Sequence, residues 1–205
     1  MTVRLPRSVG SRIPVVTLTE LLWALIGLLL TIGGNFLQAA IVAGPWSWTF
    51  SGIPASLLGV NYQIGAVLLV GCLGGRNAGV ISQIAYLGLG LVGFPFFAQG
   101  GGFAYLREPS FGYLLGFIPG AWVCGYLAFR AKPRLEWLAA CCLGGLGAIH
   151  GTGIGYLLLM HGAMAKEPSL GQALSVLSGK LLPGQLAVAC AVTVVAFLMR
   201  RMMFY

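Results

Sequence analysis

The chain has 205 residues, 58% of them hydrophobic and only 8% charged. A soluble domain carries about 25% charged residues, so this sequence cannot coat a sizeable water-facing surface and reads as a membrane protein. The net charge of +8 does not indicate nucleic acid, because the lysines and arginines form short clusters at the ends of apolar segments rather than a basic stripe with interleaved aromatics.

In chain order, Arg4, Arg7 and Arg12 mark a basic tail over 1–14, expected to be cytoplasmic. The apolar run that follows exceeds the roughly 7–15 residues of a signal-peptide core and is the first of six predicted membrane spans, over 16–42. The others cover 55–74, 78–97, 111–129, 135–160 and 182–198, near the roughly 20 residues a spanning helix needs. The stretch 169–177 is shorter and amphipathic and is expected at the interface. The expectation is therefore an all-α, multi-pass protein of the cell membrane, a single transmembrane domain over 1–205. With the N-terminus in the cytoplasm, Arg4, Arg7, Arg12, Arg76, Arg130, Lys132, Arg134, Arg200 and Arg201 lie inside, against Arg107, Lys166 and Lys180 outside. That bias follows the positive-inside rule and puts both termini in the cytoplasm.

The outer connections are elaborate. Residues 44–54 hold Trp46 and Trp48, and 98–110 hold three consecutive glycines and the pair Arg107-Glu108, whereas the inner turn 75–77 is short. Irregular loops on a rigid scaffold usually carry function, so a binding site is expected on the outer face; interfacial anchoring is the alternative for the tryptophans. Small residues recur at i, i+4 spacing: Gly71 and Gly75, Gly112, Gly116 and Gly120, Gly147, Gly151 and Gly155, and in the first span Gly27 with Thr31 and Ala39 with Ala43. Such stripes let helices approach closely in lipid.

Several chemistries lack their residues. No phosphate-binding G-x-x-x-x-G-K-[ST] loop or H-E-x-x-H motif occurs, the chain has no aspartate, and its four glutamates sit at or near span ends. ATP hydrolysis, enzymatic catalysis and carboxylate-driven proton coupling are therefore not expected. The five cysteines lie in apolar segments without C-x-x-C spacing, so they read as buried thiols, and no metal or cofactor is expected.

Polar residues within the spans are few: Asn35, Gln38, Asn61, Gln63, Gln83, Tyr86, His150 and Gln185. Each could bond a neighbouring helix or contact a ligand. The candidate binding set is Gln83, Tyr86, Arg107, Tyr113, His150, Lys180 and Gln185, a pocket for a small polar or anionic solute. Arg107 is the candidate carboxylate partner, since a guanidinium grips a carboxylate bidentately; an ion pair with Glu108 is the alternative.

The stretch 75–98, GRNAGVISQIAYLGLGLVGFPFFA, together with 109–117, PSFGYLLGF, and the Leu182-Pro183-Gly184 element before the last span, resembles the BioY family. These are the biotin-binding S components of energy-coupling factor (ECF) transporters, and the resemblance covers roughly 54 to the C-terminus. It implies the six-helix S-component fold and vitamin capture at the outer face. It also implies inward release driven by a transmembrane coupling subunit and two cytoplasmic ATPases, and docking of that subunit through small residues of the first helix, here Gly27, Thr31, Ala39 and Ala43. The chain departs from the family's usual Pro-Gly-Asp with a Lys three residues later, carrying Gln185 and Val188 instead. The sequence thus supports a binding component for biotin or a related small carboxylate. A BioY-like subunit that has lost its ligand and serves assembly of a larger membrane complex is the alternative.

Overall fold

The structure, a computed structural model, describes residues 16–42, 55–164 and 170–203. Helix α1 (Leu18–Phe36) starts at a capping box. The Thr17 hydroxyl accepts from the Glu20 amide, and the Glu20 carboxylate accepts from the Thr17 amide, which satisfies two otherwise orphaned donors. Beyond Phe36 the chain is extended: β1 (Gln38–Val42) pairs antiparallel with β2 (Ala55–Asn61). This corrects the first and second predicted spans, whose facing ends were expected to be helical. An apolar run satisfies its backbone equally well by strand pairing as by helix, and hydropathy alone cannot separate the two. The register slips between Gln38 and Ala40, opposite Gly59 at φ +69°. Such a bulge re-aims side chains and here turns Val60 inward, where it is buried.

Helix α2 (Gln63–Val92) consists of two helical arms that meet at Gly75, whose φ of 80° and ψ of −178° lie outside helical space. A straight helix would hold residues 63 and 86 about 35 Å apart, yet the Gln63 amide donates to the Tyr86 hydroxyl over 2.6 Å. The two arms, 63–74 and 76–92, therefore cross the bilayer in opposite directions. A 3₁₀ turn (Phe103–Arg107) leads into α3 (Phe111–Leu115) and α4 (Phe117–Ala128), which together form one crossing. Then come α5 (Leu135–Met164), the short α6 (Leu170–Leu174), a π-helical segment (Ser175–Lys180) and α7 (Leu182–Met202). Five helical stretches are long and apolar enough to span a membrane. The reversal at Gly75 divides one of them, so the described chain crosses six times, as the hydropathy reading expected.

The glycine stripes sort by burial. A Cβ at Gly112 would sit 2.3 Å from Tyr156, at Gly116 2.6 Å from the Ile149 carbonyl, and at Gly120 2.5 Å from the Ile149 side chain. The stripe of the fourth span thus seats that crossing against α5. The fifth-span stripe does not behave this way: Gly147, Gly151 and Gly155 have nothing within 4 Å of a Cβ, and the close approaches are made by Gly145 and Gly153. In α1 the small face is Ala24, Gly27, Thr31 and Gly34, all buried. A Cβ on Gly27 would reach Val70 at 2.7 Å, and one on Gly34 would reach the Gln63 amide at 2.9 Å. Gly27 and Thr31 are therefore turned into the chain's own bundle and do not face an outside partner. Ala39 is likewise buried, within the β-hairpin, and Ala43 lies outside the described residues. What α1 presents outward is a leucine face, including Leu18, Leu22, Leu25 and Leu29.

The cysteines are more organised than their spacing suggested. Cys72, Cys124 and Cys142 converge from three crossings, with sulfur–sulfur distances of 3.4 Å (72–124) and 3.7 Å (72–142), all fully buried. They pack among Leu68, Leu138 and Ala128 in the half of the core nearer the Gly75 turn.

Basic residues collect at that same end. Arg76 follows the turn, Arg130, Lys132 and Arg134 join α4 to α5, and Arg200 and Arg201 close α7. Asn77 donates to Glu20 over 2.7 Å, tying α2 to α1, and Arg200 donates to the Ala128 carbonyl over 2.7 Å, tying α7 to α4. Among the described residues only Arg107 and Lys180 are basic at the opposite end, so the positive-inside rule assigns the Gly75 end to the cytoplasm.

Candidate ligand site

At the outer end the β-hairpin, the 93–110 connection and the π-helical segment surround a cavity of about 230 Å³. That is smaller than the roughly 300 Å³ at which drug-sized pockets begin, and it suits a compact solute. Its polar lining is Asn35, Asn61, Gln63, Tyr105, Ser110, Tyr113 and Gln185; Val60, Ile64, Leu114, Phe117, Leu177 and Leu181 supply apolar walls. Behind it the aromatic rings of Tyr86, Phe97, Tyr105, Phe111 and Tyr156 meet in succession, with centroids 4.7–6.3 Å apart. This packed set holds the irregular outer connection against the bundle, and the Tyr156 hydroxyl donates to the Leu106 carbonyl as a further tie.

Two hydrogen-bond webs face the cavity. On one side Asn35 and Tyr86 both donate to the Phe96 carbonyl, at 2.9 and 3.0 Å, while Asn61 donates to the Asn35 carbonyl at 2.8 Å. Gln63 spends its NH₂ on Tyr86. On the other side Tyr113 and Ser178 lie 2.6 Å apart, Ser178 is 3.1 Å from His150 Nδ1, and His150 Nε2 is 2.6 Å from Gln185 Oε1. With a neutral imidazole the consistent assignment has Nε2–H donating to Gln185 and Nδ1 accepting from Ser178, which accepts from Tyr113; the tautomer follows from the network. These webs leave three groups without a bond to any described residue: the Gln185 NH₂ and the side-chain carbonyls of Gln63 and Asn61. All three belong to residues lining the cavity.

Of the seven sequence candidates, Tyr113, His150 and Gln185 are brought together here. Tyr86 lies one layer beneath, buried and bonded to Gln63. Gln83 lies further away: its amide bonds Thr31 of α1 at 3.1 Å and Ser82 at 3.0 Å, so it joins helices rather than lining the cavity. Arg107 is exposed at the end of the 3₁₀ turn and does not line the cavity. Lys180 is exposed and lines an adjoining outer hollow with Gln99, Glu108 and Gln172; the hollow shares Ser110 and Leu177 with the cavity. Sequence reasoning missed Ser178, which links Tyr113 to His150, and left Asn35, Asn61 and Gln63 open between helix packing and ligand contact, outside the seven-residue candidate set. The clustering of Asn35, Asn61 and Gln63 at the outer ends of two adjacent spans was the available signal. Val188 is buried in the core against Gly65 rather than in the cavity.

The outer cavity of this membrane bundle is lined by neutral hydrogen-bonding groups, which suit an uncharged polar group of a solute. A sequence model of the BioY family matches residues 12–204. A Lysinibacillus sphaericus protein described as “Probable biotin transporter BioY” is 44% identical over 110 residues, 53% of this chain and 56% of that protein, so the match spans little more than half of its length. The “Biotin transporter BioY” of Thermotoga maritima is 36% identical over 124 residues, 60% of this chain and 70% of that one. The crystal structure of the S component for biotin from an ECF-type ABC transporter superposes with a TM-score of 0.61 at 20% identity, covering 89% of this chain and 88% of the other; it shares the fold. The chain belongs to the BioY family. It is a multi-pass integral protein of the cell membrane, and the family is one of transport components rather than enzymes.

Proposed function

We propose that the chain is the substrate-binding component of an ECF-type importer and captures biotin at the outer face. The observation that carries this reading is the match between the cavity's unspent groups and a cyclic urea. A ureido ring offers one carbonyl acceptor and two N–H donors; the cavity offers the Gln185 NH₂ as donor and the Gln63 and Asn61 carbonyls as acceptors. A buried polar ligand group costs affinity unless paired, so complementarity of this kind decides which ring is admitted. Leu114, Phe117, Ile64 and Leu181 supply the apolar surface for the remainder of a fused ring. The family membership supports the same ligand.

Inward release would need a coupling subunit and ATPases, since the chain carries no nucleotide-binding motif of its own. Docking through the small face of α1 is not supported, because that face is packed against α2. The outward leucine face is the surface this helix has to offer. The assembly-only alternative is weakened by the retained cavity and its open hydrogen-bonding groups.

The test is uptake of labelled biotin by cells lacking other biotin transport. Uptake is expected when this chain is expressed with an ECF coupling subunit and its ATPases. Absence of both uptake and co-purification with that module, from folded protein in the membrane, would refute the proposal.

A further inference from the structure

The cavity holds no charge. Its polar lining consists of four primary amides (Asn35, Asn61, Gln63 and Gln185) and the hydroxyls of Ser110, Tyr105 and Tyr113. The chain between β1 and β2, residues 43–54, contains no charged residue in its sequence. Val188, at the position of the family's usual lysine, is sealed in the core. Among the described residues, the charged groups nearest the cavity are Lys180 and Glu108, which line the adjoining hollow.

An ionised carboxylate confined among neutral groups inside a low-dielectric bundle carries a desolvation penalty that none of the described lining residues offsets. The acid end of a bound ligand must therefore stand in the open hollow. There one cation and one anion oppose each other's pull, and an exposed ion pair contributes little. We infer that the site recognises only the uncharged ring end of its ligand and accepts carboxyl-modified forms, amides and esters of biotin including those extended by a further chain, about as well as the free acid. The hollow adjoins the cavity, with Ser110 and Leu177 lining both, and is the nearest space for such an extension.

This inference rests on the biotin reading, and one experiment separates the two. Isothermal titration of the purified, lipid-reconstituted chain is carried out with biotin, with biotin amide and with biotin joined through its carboxyl to the lysine side chain. All three are expected to bind with dissociation constants within about fivefold of one another, the ceiling set by an exposed ion pair. If biotin binds and either derivative is weaker by more than that, the carboxylate is being read and the inference is overturned. If none of the three binds to folded protein, the biotin reading fails and takes the inference with it.

Discussion

Replacing Gln185 with leucine removes an amide donor that lines the ligand cavity and bonds no described residue, while keeping the volume of the side chain close to constant. Two effects follow from the geometry. His150 Nε2–H loses its acceptor at 2.6 Å in a nearly enclosed position, and an orphaned buried donor costs about 1–3 kcal/mol. The folded protein should therefore be less stable by that amount. The ligand's carbonyl then meets a methyl group instead of an amide, and stranding it carries a similar penalty, about 1–3 kcal/mol or roughly five- to 150-fold in affinity. Titration calorimetry in lipid nanodiscs reads the affinity, and circular dichroism with thermal melting checks that helices and fold remain. An affinity for biotin within about twofold of the parent, in a variant that stays folded, would refute the assignment of Gln185 as a ligand donor.

Three further substitutions probe other parts of the account. Gly75→Ala has room for its methyl, since the nearest atom to a Cβ is a Phe129 ring carbon 3.5 Å away, but φ of 80° strains any L residue. A loss of about 1–3 kcal/mol and a lower melting temperature are expected, and an unchanged melt would mean that the hairpin does not turn there. Arg107→Ala should leave biotin affinity within about twofold, because the guanidinium stands outside the cavity; a large loss would restore it as the carboxylate anchor. Val188→Lys buries an ammonium against Gly65 and, lacking a partner, should cost about 3–5 kcal/mol as an uncompensated buried charge. Adding Gln185→Asp one helical turn earlier should recover part of that loss, and strictly additive melts of the single and double variants would show that the two sites do not interact.

Much of the architecture is legible in composition and charge. Length and hydropathy give the number of crossings, and the placement of Arg76, Arg130, Lys132, Arg134, Arg200 and Arg201 gives the orientation. The turn at 75–77 is visible as a glycine beside a charge. What hydropathy could not see is the β-hairpin: 38–42 and 55–61 are apolar enough to pass as helix, and only their mutual pairing makes them strands. Small-residue spacing was informative where both helices contribute close contacts, as at Gly112, Gly116 and Gly120. At Gly147, Gly151 and Gly155 no described neighbour within the chain takes up the approach that such a stripe makes possible. The site followed the same logic. Tyr113, His150 and Gln185 are recognisable as polar groups in apolar helices, but Ser178 acquires meaning only when the π-helical segment lays it between Tyr113 and His150. Arg107 looked attractive because guanidinium chemistry suits a carboxylate, yet chemistry without position does not make a site.

The central claim is that the uncharged outer cavity binds biotin, and titration of the purified, reconstituted chain with biotin alone tests it most directly. Saturable one-to-one binding is expected, weakened by Gln185→Leu and not by Arg107→Ala. Folded protein that gives neither heat nor thermal stabilisation with biotin would contradict it.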